Sequence, residues 1–169
     1  MRYTQTVNPY RDIFEALNRA NIRYLVVGGV AVNLHGHRRF TADIDILLAL
    51  DEENLAKMTT LMHAMGYIER LPVQLQALSD PEKIQQFLDE KGMTAYTFLS
   101  DNRERVDIDV LAAKSLAFEK YEKRKVVLDI DEGIHVPVVS IDDLLALKRE
   151  ANRSKDIEDV QILLELNGL

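Results

Sequence analysis

Two aspartates one residue apart, Asp43 and Asp45, sit inside an apolar run that reads ADIDILLAL. On a strand, alternate side chains share a face, so both carboxylates project together while Ile44 and Ile46 point the other way. Aspartate is depleted in strands because it competes for its own backbone, so this pair calls for a reason. A shared hard cation supplies one. Mg²⁺ takes oxygen ligands in tight octahedral geometry, usually a few carboxylates together with substrate phosphates. Upstream, Gly28 and Gly29 end the apolar run Tyr24 to Val27. Lacking Cβ atoms, they let the backbone turn sharply and approach phosphate oxygens. A helix beginning near Val30 would aim its free N–H groups and positive dipole end at the same place. Taken singly, the glycines read as a turn and Asp-Ile-Asp as the wet face of a half-buried strand. Together, on consecutive elements, they favour a phosphate-and-metal site.

The elements that must position these residues follow from punctuation and periodicity. Asn8-Pro9 starts a helix carrying Ile13, Phe14 and Leu17 and ending near Asn21, ahead of a strand over 22–27. Gly36 terminates the short helix after the glycines, with His35 beside it as a local hydrogen-bonding group. Asp51 caps a helix whose stripe of Leu55, Met58, Leu61, Met62 and Met65 is core packing, ended by Gly66. A short strand is expected at 67–69 and no element is assigned over 71–79. Asp80-Pro81 opens another helix that stops at Gly92. Segments 94–99 and 105–111 read as a hairpin around a turn at 100–103. Its second arm, RVDIDVL, puts Asp107 and Asp109 on one face and Val106, Ile108 and Val110 on the other. A wet hairpin face is the plain reading of those acids. Residues 113–125 look helical, and 126–128 and 134–138 read as strands, the later one an edge strand because it contains Pro137. Ser140-Ile-Asp-Asp143 is a capping box that starts a helix packing Leu144, Leu145 and Leu147 inward. The acids of the last helix, Asp156 and Asp159, suit a helix N-terminus.

The string GGVAVNLHGHRRFTADIDILL resembles the defining motif of the DNA polymerase β-like nucleotidyltransferase superfamily, and more closely the minimal nucleotidyltransferases of the AbiEii/AbiGii toxin type. The resemblance is strong over this block and moderate over the C-terminal third. It implies an α+β (α/β) fold, a mixed β-sheet flanked by helices with a C-terminal helical segment. We expect one domain over 1–169, with the motif core at about 22–112 and the C-terminal helices at about 140–167. It implies a third metal carboxylate from a neighbouring strand. Asp109 is favoured because the stretch after it resembles the relatives, and Asp107 on the same face is the alternative. Arg39, Thr41 and Asp43 form the family's R-x-T-x-D string, which gives Arg39 a role in holding the loop or a triphosphate. Arg38 has no such support and reads as solvated. Lys148, Arg153, Lys155 and Asp156 match the C-terminal string, which implies that Lys148 contacts the triphosphate and Asp156 anchors the turn between two helices. The implied activity is transfer of an NMP from an NTP to an acceptor hydroxyl, with two Mg²⁺ held by Asp43, Asp45 and the third carboxylate, and Gly28 and Gly29 against the phosphates. The resemblance also implies an RNA acceptor such as a tRNA 3′ end, and a cognate antitoxin. Other superfamily members modify antibiotics or protein hydroxyls, and no residue here separates these acceptors.

The 169 residues are 47% apolar and 29% charged, a soluble globular profile of ordinary domain size. Absence of cysteine excludes disulfides and thiolate metal sites. No signal peptide or transmembrane-length apolar run is visible, so the chain reads as cytosolic with no membrane partner. A net charge of −7 argues against a broad basic face for duplex nucleic acid, although local basic runs exist. Two other classes fit the same residues: a nucleotide-binding regulatory module that transfers nothing, and a protein-interaction module whose acidic strand faces meet a basic partner.

Overall fold

The computed structural model describes residues 10–91, 94–113, 116–131 and 133–169. Its elements in chain order are α1 (Arg11–Arg19), β1 (Tyr24–Val27), α2 (Gly28–Leu34), β2 (Asp43–Leu48), α3 (Glu52–Ala64), β3 (Tyr67–Glu69), a 3₁₀ turn (Leu75–Ser79) and α4 (Pro81–Lys91). The remainder are β4 (Ala95–Ser100), β5 (Asp107–Leu111), α5 (Phe118–Glu122), β6 (Val126–Asp131), β7 (Ile134–Val138), α6 (Ile141–Ala151) and α7 (Ser154–Asn167). Seven strands form one mixed sheet in the order β3-β4-β5-β2-β1-β7-β6. The expected Asn8-Pro9 helix start and the Gly92 terminator lie outside the described residues.

Register places the acidic residues. β2 pairs parallel with β5, setting Asp43 opposite Asp107 and Asp45 opposite Asp109. β1 runs antiparallel to β2 and brings Val27, the residue before the glycines, opposite Asp45. β4 closes the other side of β5, with Thr97 opposite Asp109. The alternate residues Ile44, Ile46, Ile108, Val110 and Phe98 are fully buried on the far face. Each such side chain contributes on the order of 1.5–3 kcal/mol through burial, so the apolar face fixes which way the aspartates point.

Helix ends follow the expected chemistry. Asp51 caps α3 by accepting the Asn54 N–H, and Ser140 caps α6 by accepting that of Asp143. Met58 and Met62 are fully buried, as core packing requires.

Several expectations change. α2 begins at Gly28 rather than near Val30, so the glycines form its first turn. The 71–79 segment contains the 3₁₀ turn, the connection between β4 and β5 is longer than four residues, and β6 runs on to Asp131. Of 113–125, only Phe118–Glu122 is α-helical among the described residues, 114 and 115 lying outside them. The edge-strand reading of β7 is wrong: β7 lies between β1 and β6, and β6 is the edge. Pro137 is tolerated there for a geometric reason. Val139 donates its N–H to the Val26 carbonyl, and the β1 ladder holds a single register pair, Val26 with Val138. By alternation the side of Pro137 lacking an N–H faces β1 where that short ladder has already ended.

Candidate active site

Asp43, Asp45 and Asp109 offer carboxylate oxygens that all lie within 4.8 Å of one another. They sit in a cleft of about 600 Å³. Gly28 and Gly29 form one wall, and Leu144, Leu147 and Lys148 of α6 with Arg153 and Lys155 form another. Asp107 shares the strand face but accepts the Ser100 N–H at 3.0 Å and stands opposite Asp43, one pair further along the ladder.

The glycines are there because nothing larger fits. Gly28 has φ +62°, and a Cβ on it would lie 2.0 Å from Asp45 Oδ2. A Cβ on Gly29 would lie 2.6 Å from the Thr41 hydroxyl oxygen. The close approach lets the Gly29 N–H donate to the Asp45 carboxylate. Thr41 in turn donates its hydroxyl to the Asp43 carbonyl at 3.2 Å, fixing the entry to β2.

Crowding three acids has an electrostatic cost. Burial pushes the Asp45 carboxyl up to about 6, helped by the charges of Asp43 and Asp109 and opposed by Lys148 and the Gly29 N–H. Asp109 is raised too, chiefly by burial; the Thr97 hydroxyl, donating at 2.6 Å, and the charge of Arg70 oppose it, while Asp43 adds to it. A hard divalent cation would relieve this repulsion. All-oxygen donors without Cys or His, on one rigid strand pair, fit Mg²⁺.

Arg39 and Lys148 are not loose counter-charges. Arg39 grips Asp159 through two hydrogen bonds, Nε at 2.7 Å and Nη2 at 2.9 Å. Its backbone is held by the Asn33 side chain through a reciprocal pair of hydrogen bonds. Lys148, only 5% exposed, places Nζ 2.9 Å from both Asp156 and Asp159. Asp156 also accepts from the Arg153 N–H and Nε. Burial alone would raise Asp156, but hydrogen bonds from Arg153 and Lys148 reverse this and bring it to about 2. Asp156 thus ties down the α6–α7 turn, while the acids of α7 do more than favour a helix terminus: they bind the cations of α6 and of the loop before β2. Asp159 was legible only as a helix acid, because its partners lie far away in sequence. Lys155, exposed and lining the cleft, has no side-chain partner among the described residues. His35 donates from Nε2 to the Val139 carbonyl at 2.8 Å, a structural bond, and Arg38 is exposed.

A strand ending in two glycines, a short helix, and an acidic pair on the next strand define a nucleotidyltransferase fold, and solved structures agree. The lincosamide antibiotic adenylyltransferase LnuA, solved with lincomycin bound, is 15% identical with a TM-score of 0.64, covering 95% of this chain and 98% of its own. The antibiotic-resistance factor ANT(2'')-Ia is 14% identical with a TM-score of 0.60, covering 96% and 84%. An antigenic nucleotidyltransferase-like protein from Paracoccidioides brasiliensis is 18% identical with a TM-score of 0.59, covering 92% and 73%. At these identities the likeness is one of fold. No curated protein matches the sequence significantly. The family model described as nucleotidyl transferase AbiEii toxin of type IV toxin–antitoxin systems matches residues 13–169, and the chain belongs to that family. It is a nucleotidyltransferase.

Proposed function

We propose that the chain transfers a nucleoside monophosphate from an NTP to an acceptor hydroxyl in a Mg²⁺-dependent reaction, with Asp43, Asp45 and Asp109 as the metal-holding carboxylates. The observation that carries this reading is the meeting of those three carboxylates within 4.8 Å beside the two glycines. Two Mg²⁺ would neutralise the triphosphate and lower the pKa of the acceptor hydroxyl. Asp43 and Asp45 face both the phosphates and the acceptor, and Asp109 serves the acceptor side. Asp107, bonded to the Ser100 N–H, supports the strand end. Gly28 and Gly29 leave room for phosphate oxygens against the backbone. Arg39 and Thr41 shape the loop that carries Asp43. Lys148, locked between two aspartates, sets the local field and the orientation of α6, and Lys155 is the direct counter-charge for the triphosphate. Leu144 and Leu147 offer an apolar wall for the base.

In the reaction the acceptor oxygen bonds to the α-phosphorus, the bond to the pyrophosphate oxygen breaks, and the hydroxyl proton is released. Positioning and charge neutralisation supply most of the acceleration in such chemistry. The family's description, a toxin of type IV toxin–antitoxin systems, extends the proposal to a toxin role and a cognate antitoxin protein, and the motif resemblance extends it to an RNA end as acceptor in the cytoplasm. The test is titration of the four NTPs with and without Mg²⁺. Metal-dependent binding by wild type that disappears in Asp43→Asn/Asp45→Asn supports the site. Binding that is equal in both proteins, or absent from wild type, rejects it.

A further inference from the structure

A second, smaller cavity of about 270 Å³ lies on the β3–β4 side of the carboxylates. It shares Asp109, Thr94 and Ala95 with the main cleft and adds Arg70, Leu71 and Thr97. The two cavities therefore meet at Asp109. On the reading proposed above, the triphosphate fills the larger cleft, where the glycines and Lys155 are, and an acceptor must reach Asp109 from elsewhere. The smaller cavity is the space that remains beside it.

Its chemistry is distinctive. The cations of the main cleft are mostly neutralised by Asp156 and Asp159, whereas among the described residues Arg70 is the one cationic side chain lining the smaller cavity. Among the described residues its guanidinium has no hydrogen-bond or ion-pair partner. Its backbone is fixed by donation of its N–H to the Thr97 carbonyl at 2.9 Å, which anchors the side chain next to the strand that backs Asp109. Among the described residues the Thr94 hydroxyl also has no partner, while the Tyr96 hydroxyl donates to the Val73 carbonyl. The Arg70 charge reaches Asp109, but its exposed donor fork makes no hydrogen bond among the described residues, and such a fork beside a cation-holding carboxylate is suited to a phosphate oxyanion.

We infer that this cavity is the acceptor subsite and that Arg70 selects acceptors bearing a phosphate near the reacting hydroxyl. A polycationic acceptor would be repelled by Arg70 and left without a carboxylate partner other than Asp109, which the metal already engages. The inference rests on the nucleotidyltransferase reading, and its test separates the two. Protein saturated with Mg²⁺ and the α,β-methylene analogue of its preferred NTP is titrated with cytidylyl-adenosine, ribose 5-phosphate, uncharged adenosine and the polycation tobramycin. We expect a phosphate-bearing probe to bind more tightly than adenosine. Arg70→Ala should weaken that binding about tenfold and Arg70→Lys less, with the affinity for the NTP analogue unchanged. Binding of cytidylyl-adenosine alone assigns the phosphate to a nucleic acid end, and binding of both phosphate probes to a small phosphorylated acceptor. If the analogue binds but Arg70→Ala leaves both phosphate probes unaffected, or tobramycin binds in preference to them, the subsite is refuted while the nucleotide site stands. If Arg70→Ala weakens the analogue as much as the probes, Arg70 only supports Asp109 and the inference falls. If wild type binds no NTP analogue, the parent reading falls and takes this one with it.

Discussion

Asp45 concentrates the conflict between stability and chemistry in this protein. Its carboxyl is raised to about 6, first by burial and then by Asp43 and Asp109. The folded, metal-free protein therefore holds a proton on Asp45 more tightly than the unfolded chain does. The stability this gives is present below the ordinary carboxylate range and is lost as pH rises through about 6. In chelator, Asp45→Asn should accordingly raise the melting temperature at pH 7.5 but not at pH 4, a gain on the order of 1–3 kcal/mol. With Mg²⁺ the order inverts, and wild-type metal affinity should fall as pH drops through about 6 because a protonated carboxyl is a poor ligand. Thermal melts at both pH values, with and without metal, check both signs. If Asp45→Asn is destabilising in chelator at pH 7.5, burial and the neighbouring charges do not burden the Asp45 carboxylate as described. These aspartates were readable in the sequence because period-two alternation fixes their face. The lock on Lys148 was not, since no local pattern reveals that Asp159 lies beside it across a helix crossing.

At the level of elements, α7 is fastened to the loop before β2 and to α6 by charge rather than by apolar area alone. Asp159 takes Arg39 from the loop and Lys148 from α6, and it is 1% exposed. Removing one member of a buried ion network strands the others, typically at about 3–5 kcal/mol. Asp159→Ala should show that loss in chemical denaturation, together with weaker NTP binding, because Arg39 then ceases to hold the loop leading to Asp43. An exposed helix acid would instead cost within about 0.5 kcal/mol, and that result would mean the network is incidental. Helix starts were legible where a cap residue precedes an apolar stripe, as at Asp51 and Ser140. The position of β7 was not, because Pro137 carries a strong local message that a ladder of one rung makes irrelevant.

Across the whole molecule, the mixed sheet was expected from the family resemblance, but the order β3-β4-β5-β2-β1-β7-β6 comes from pairings distant in sequence and left no local trace. The family motif lent the central strands their neighbours, and the peripheral ones had to be seen. That order has a consequence for how the protein opens. β2 holds four register pairs with β1 and four with β5, whereas β1 and β7 share one. Beyond that rung, the β6–β7 hairpin is tied to α1 by two solvent-exposed links, Asn18 to the His135 carbonyl and Arg11 to Asp131, and to the core by the buried Ile134, Val136 and Val138 of β7. The sheet therefore has a perforation beside β1, along which the hairpin can detach as a cooperative unit while the strands carrying the carboxylates stay closed. Native-state amide exchange should find the β6 and β7 amides escaping at a lower opening free energy than those of β2 and β5. A single shared value for all four strands would mean the perforation does not open, and that the sheet parts only when the whole chain unfolds.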